Sequence, residues 1–161
     1  MKNDIYTDIA TRTGGDIYIG VVGPVRTGKS TFIKRFMELM VLPKLPEGHL
    51  KAIARDELPQ SAAGKTIMTT EPKFIPKEAA EIALEDGITA RVRLVDCVGF
   101  MVEGAAGHEE NGEERLVKTP WYDHEIPFTQ AAEIGTRKVI RDHSTIGIAV
   151  TADGSFGELK R

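Results

Sequence analysis

Residues 16–33 read Asp16-Ile17-Tyr18-Ile19-Gly20-Val21-Val22-Gly23-Pro24-Val25-Arg26-Thr27-Gly28-Lys29-Ser30-Thr31-Phe32-Ile33, and three patterns meet in them. Asp16 to Val22 is a short apolar run, rich in β-branched residues and followed by glycine, which predicts a buried strand. Gly23 to Ser30 fits G-x-x-x-x-G-K-[ST] without departure. From Ser30 to Val41, Phe32, Ile33, Phe36, Met37 and Met40 recur at helical spacing, and Pro43 is expected to stop that helix. A strand that runs into a glycine loop and out into a helix is the local geometry a polyphosphate needs. Gly28 allows main-chain N–H groups to curl around phosphate oxygens, and the helix start turns the positive end of its dipole toward them. Gly23, Val25, Arg26, Thr27, Gly28, Lys29, Ser30 and Thr31 are therefore the candidate nucleotide contacts. Lys29 is expected to reach the β- and γ-phosphates and the Ser30 hydroxyl to ligate Mg²⁺.

Composition fits one ordinary globular domain. The 161 residues suffice for a real core, and a net charge of −3 comes from interspersed acids and bases. No basic stripe points to nucleic acid. Cys97 is the only cysteine, so no intrachain disulfide can form, which suits a reducing compartment. The amino terminus lacks the apolar stretch of a signal peptide, and no apolar run approaches a transmembrane length. The expectation is a soluble, cytoplasmic protein.

Outward from the glycine loop the pattern is uneven. On the amino-terminal side, Ile5 and Ile9 suit a short helix ended by Gly14-Gly15. On the other side, residues 43–70 show no strong periodicity, and a stretch of that length in a compact domain is usually functional. Lys73-Phe74-Ile75 and Glu81 to Leu84 are two short strand candidates, and Asp86-Gly87 signals a hairpin into a strand over Thr89 to Val95. Residues 99–124 form an excursion, which Trp121-Tyr122 is expected to pack onto the domain, the other reading of the pair being a partner contact. Phe128 to Arg141 predicts a helix, on which Glu133, Arg137 and Arg141 lie four apart, and Thr145 to Thr151 a further buried strand closed by Asp153-Gly154.

A second motif completes the chemistry. Asp96, ending an apolar strand in Arg93-Leu94-Val95-Asp96-Cys97-Val98-Gly99, is placed to hold the Mg²⁺ shell from across the sheet. The Asp-x-x-Gly spacing from Asp96 to Gly99 resembles the switch II entry of Ras-like GTPases, where the glycine N–H meets the γ-phosphate. Thr69 and Thr70 precede a strand able to pair with the Asp96 strand, as does the switch I threonine of that class, which contacts Mg²⁺ and γ-phosphate; either hydroxyl fits. Gly64-Lys65-Thr66 mimics the end of a phosphate loop, but Pro59 stands where the first glycine belongs. Phe100 follows Gly99 where many of these enzymes carry a water-orienting glutamine, which predicts slow turnover. Val25 replaces a loop glycine and would crowd an arginine supplied from outside, so Arg26 is the candidate for local positive charge. Cys97 reads as a small buried residue. The four histidines, His49, His108, His124 and His143, lack metal-ligand spacing.

The order strand, loop, helix, hairpin, helix, strand gives an α/β protein. With the motifs, the expected fold is a P-loop NTPase of the Ras-like (TRAFAC) type: three α/β/α layers around a mostly parallel sheet, incomplete on its carboxy-terminal side.

Nearly the whole chain resembles the stage IV sporulation protein A family. The match runs through RTGGDIYIGVVGPVRTGKSTFIKRFMELMVLP, DELPQSAAGKTIMTTEPKFIP, RLVDCVGF, TPWY, AAEIGTRKVI and DHSTIGIAVTADGS. The resemblance implies an N-terminal NTPase domain over residues 1–161, with middle and polymerising domains beyond it. It implies ATP rather than GTP, with Mg²⁺, and hydrolysis that drives self-association into the basement layer of the spore coat. Lys29, Ser30, Asp96 and Thr69 or Thr70 then take the phosphate, metal, acidic and sensing roles. Implied partners are other copies of the chain, a small amphipathic membrane-bound peptide and coat morphogenetic proteins. The implied location is the mother-cell cytoplasm at the forespore outer membrane surface. A base-reading loop would fall after Arg161, so weak nucleotide binding or poor folding is expected of these residues alone. Two other readings compete: a GTPase acting as a regulatory switch, for example in ribosome assembly, and a scaffold that binds nucleotide without turnover.

Overall fold

The computed structural model describes residues 8, 11–24, 27–59, 71–84, 87–97, 99 and 109–151. Strand β1 (Asp16–Val22) forms where the sequence predicts it, and Lys29–Phe36 is helix α1. The helical path then widens into a π turn at Met37–Val41 and tightens to a 3-10 turn at Leu42–Lys44. This corrects the single helix expected to Val41. Pro43 has no N–H, and its ring crowds the carbonyl four residues back, so the ladder cannot run through it unchanged. A further helix, α2 (His49–Asp56), corrects the expectation of no strong periodicity over residues 43–70. Leu50, Ile53 and Ala54 do fall at helical spacing, although only Ala54 is buried while Leu50 and Ile53 are exposed. Polar contacts add to the packing of Ala54. Lys51 pairs with Glu47 at 2.6 Å, and the Lys77 N–H donates to the Glu57 carboxylate at 2.6 Å.

The two short strands expected around 73–84 are one strand, β2 (Lys73–Ala83). Its pairing with β3 (Thr89–Asp96) shifts register between Ile75 and Ala80, and that irregularity interrupts the alternation seen in the sequence. The Leu84 N–H reaches the Ile88 carbonyl at 2.7 Å across the hairpin. The excursion carries two small ribbons, β4 (Glu109–Glu110) with β5 (Glu113–Glu114) and β6 (Leu116–Val117) with β7 (Ile126–Pro127). Trp121 packs toward the next helix, its ring 5.5 Å from Lys138 Nζ, as expected; Tyr122 is exposed. That helix, α3 (Phe128–Lys138), passes into a π turn at Val139–His143, so only its first eleven residues keep the regular period. Arg137 pairs with Glu133 on its surface at 2.8 Å. The last strand, β8 (Ile146–Ala149), is shorter than the seven residues expected. Ile5, Ile9, Asp86, Asp153, Gly154 and the 64–66 segment lie outside the described residues.

The main sheet has the order β2-β3-β1-β8, with β1 parallel to both neighbours and β2 antiparallel at one edge. Helices cover both faces. Ile19, Val21, Leu94 and Ile75 pack with Ile33, Met37 and Val41 from the α1 side and with Ala54 of α2. On the reverse face Val95 and Cys97 meet Val139, with Val22 and Phe74 beside them. Gly20 makes that approach possible, since a methyl there would sit 3.0 Å from both Val139 Cγ1 and Ser144 Cβ. The expected α/β fold with a mostly parallel sheet is present. Its topology also positions a site: the chain lies to one side of β1 in β2 and β3 and returns on the other in β8, which opens a crevice at the carboxyl end of β1.

Candidate functional site

Three parallel strands end at that crevice, and the loop begins there. Gly23 has φ 154°, and a methyl on it would drive into the backbone of Val150, whose carbonyl carbon lies at 3.2 Å and whose oxygen is closer still. Beyond it, Pro24 offers one carbonyl to two donors. The Thr27 hydroxyl donates to it at 2.8 Å and the Lys29 ammonium at 3.0 Å. The loop therefore folds back over its own lysine, and Lys29 is buried although it is charged.

Gly28 caps α1 with φ 89° and ψ 19°, and a methyl placed on it would meet nothing within 4 Å. Only glycine adopts this conformation without strain, and the space it leaves is open. The first intrahelical bond runs from the Phe32 N–H to the Gly28 carbonyl at 2.9 Å. No side-chain cap covers the helix start among the described residues, and its first turn holds no acidic residue to compete with an incoming anion.

Asp96 is the last residue of β3 and faces Val21 of β1 in register. The Ser30 hydroxyl donates to its Oδ2 at 3.4 Å, the long end of hydrogen-bond distance. Its Oδ1 is buried and has no hydrogen-bond partner among the described residues. Burial pushes the Asp96 carboxyl above the ordinary aspartate range, against the pull of Lys29, the Ser30 hydroxyl, the Cys97 N–H and Lys73. Burial likewise lowers Lys29, against the attraction of Asp96 and Cys97. Each group is thus under-compensated by the other: burial costs both charges more than their mutual attraction returns. A polyanion on Lys29 and a divalent cation on Asp96 would supply what is missing. A magnesium ion takes oxygen ligands and is commonly bound through one or two protein oxygens plus substrate phosphates, so the Ser30 hydroxyl and the orphaned Asp96 oxygen fit it.

The structure brings Gly23, Thr27, Gly28, Lys29, Ser30, Thr31, Asp96 and Gly99 to one end of the sheet or just beyond it. Thr31 and Ser30 are exposed; Gly99 is buried with φ 84°. Val25, Arg26, Thr69, Thr70 and Phe100 lie outside the described residues. Two features escape a reading of the sequence. The double acceptance by the Pro24 carbonyl has no sequence signal. The register that sets Lys73 opposite Asp96 depends on a non-local pairing. Cys97 is buried as expected, its thiol 3.6 Å from the Val21 carbonyl and from the Thr136 hydroxyl. Among the described residues, no helix is long and apolar enough to cross a membrane.

The family model described as "Stage IV sporulation protein A, ATPase domain" matches residues 1–161. Stage IV sporulation protein A of Bacillus subtilis (strain 168) is 62% identical over 160 residues, covering 99% of this chain and 32% of the relative. The protein of that name from Bacillus anthracis is 61% identical, with the same coverage. Its counterpart in Clostridioides difficile (strain 630) is 60% identical over 161 residues, all of this chain and 33% of the relative. The chain thus spans about a third of the length of these relatives. No solved structure matches it.

Proposed function

The chain belongs to the stage IV sporulation protein A ATPase family, and from that premise we propose that it binds Mg²⁺·ATP at the carboxyl end of β1 and hydrolyses it. The fold is then that of a Ras-like P-loop NTPase over residues 1–161, in keeping with the sheet order and the antiparallel β2 edge. The backbone N–H groups of the loop from Gly23 to Thr31, Pro24 having none to give, cradle the phosphates. Lys29 holds the β- and γ-phosphates, leaving the Pro24 carbonyl for the phosphate oxygens, and its burial strengthens that contact by excluding water. A magnesium ion held by Ser30 and Asp96 supplies positive charge against the phosphate oxygens. Gly99 offers its N–H to the γ-phosphate, Thr69 or Thr70 senses that phosphate, and Arg26 adds charge as hydrolysis proceeds.

In the intact protein this hydrolysis serves sporulation. It drives self-association into the spore-coat basement layer at the forespore surface, in the mother-cell cytoplasm. There the protein meets an amphipathic membrane-bound peptide and coat morphogenetic proteins. The family name supports the sporulation role.

The observation that carries the proposal is geometric: a buried Lys29 ammonium under the Pro24 carbonyl, and a half-buried Asp96 beside the Ser30 hydroxyl with one oxygen unpartnered among the described residues, both at the mouth of a complete phosphate-loop motif. Phosphate release from the intact protein, with ATP and GTP compared side by side, is the test. Slow release with ATP that is lost on Lys29→Ala supports the reading. Release favouring GTP would support the regulatory GTPase instead, and binding without release would leave a scaffold.

A further inference from the structure

We propose that Lys73 is a second phosphate-recognising cation of this site, on the side of the terminal phosphate, and that it separates triphosphate from diphosphate. The inference rests on the nucleotide site proposed above and deepens it.

Lys73 is the first residue of β2 and lies directly opposite Asp96 in the antiparallel register. Residues so opposed project from the same face, with Cβ atoms roughly 5 Å apart. That face is the phosphate-loop face, because Asp96 also stands in register with Val21, which packs with Ile33 of α1. The next residue, Phe74, turns to the reverse face, where it packs beside Val95, Cys97 and Val139 and meets the His143 ring edge-on at 5.2 Å between centroids. Anchoring Phe74 there commits Lys73 to the side of the loop.

The end of the sheet therefore carries a row of charges. Lys29 is buried at the start of α1, Asp96 is half-buried at the end of β3, and Lys73 is exposed at the edge strand. Two ammonium groups flank one carboxylate. That excess of positive charge suits a ligand that brings several negative charges. Lys29 already sits under the loop, so the outer ammonium is left for the charge that a triphosphate carries and a diphosphate lacks. Lys73 is a specificity-determining residue in this arrangement.

The test is equilibrium binding of the β,γ-imido analogue of ATP and of ADP, each with magnesium, to the intact protein, its Lys29→Ala variant and Lys73 variants. Lys73→Ala and Lys73→Gln are expected to weaken the triphosphate by about ten-fold or more while changing ADP by less than about two-fold. Lys73→Arg keeps most of the discrimination. An unchanged ratio of the two affinities, or equal weakening of both ligands, overturns the inference. The two levels separate cleanly. If Lys29→Ala abolishes binding while Lys73→Ala leaves the ratio intact, only the role of Lys73 fails. If the unaltered protein binds neither nucleotide, or Lys29→Ala binds both normally, the site itself fails and this inference with it.

Discussion

The two loop glycines at positions 23 and 28 are held by different physics, so replacing each by alanine should produce different damage. At Gly28 the new methyl meets nothing within 4 Å, and the only cost is a left-handed backbone, about 1–2 kcal/mol. At Gly23 the methyl would be 3.2 Å from the Val150 carbonyl carbon and nearer its oxygen, and neither backbone can yield without moving a strand. Overpacking of that kind costs about 1–3 kcal/mol, and the φ of 154° adds a similar backbone penalty, for roughly 2–5 kcal/mol in all. The damage should be specific in place. Val150 donates to the Val22 carbonyl at 2.8 Å, and this bond ties β8 to β1 next to the clash. Amide hydrogen exchange of the intact protein, read peptide by peptide, measures such local openings as free energies. Gly23→Ala should speed exchange over residues 145–151 by about thirty-fold or more, at roughly 1.4 kcal/mol per factor of ten. Gly28→Ala should leave those residues unchanged and speed only the first turn of α1, by about five- to thirty-fold. Equal effects at both places, or a protected 145–151 segment in Gly23→Ala, would refute the reasoning.

Two further outcomes follow from the same geometry. Because burial raises the Asp96 carboxyl, protons compete with magnesium there at a higher pH than at an ordinary aspartate. Affinity for Mg²⁺·ATP should therefore fall as pH drops while the exposed carboxylates are still ionised, and Asp96→Asn should flatten that dependence; a profile that falls only in the ordinary carboxylate range would contradict the shift. Lys138→Ala should expose the Trp121 ring, seen as a red shift of its emission in a form carrying no other tryptophan, at a stability cost of about 1 kcal/mol or less; unchanged emission would mean the excursion is held elsewhere.

What the sequence discloses, and what it hides, has a physical pattern. β1, the loop and the start of α1 are legible because each is set by neighbours within a few residues: β-branched packing, a glycine with positive φ, a helical apolar stripe. Lys29, Ser30 and Asp96 are legible as a group because two motif spacings single them out, and the structure brings them to one end of the sheet, with the Ser30 hydroxyl 3.4 Å from Asp96 Oδ2. α2 is harder to read, because its apolar positions, Leu50, Ile53 and Ala54, cover little more than one turn and only Ala54 is buried. β2 reads as two pieces because its register shift breaks the period of two where the ladder itself continues. The ribbon at 109–114 turns through Asn111-Gly112, a fair hairpin signal, but its strands are two glutamates each and show no apolar alternation. The π turns after α1 and α3 depart from the 3.6-residue period that a sequence pattern assumes. The lysine opposite Asp96 is hidden for a different reason: antiparallel register joins residues 73 and 96, and no local pattern specifies that pairing.

Electron paramagnetic resonance of Mn²⁺·ATP, with manganese in place of magnesium, reads the metal shell itself in the intact protein. The account predicts a bound-manganese spectrum that appears only with ATP present and is lost on Asp96→Asn. The same bound spectrum in Asp96→Asn, at the same concentrations, would contradict the assignment of that orphaned carboxylate oxygen to the metal.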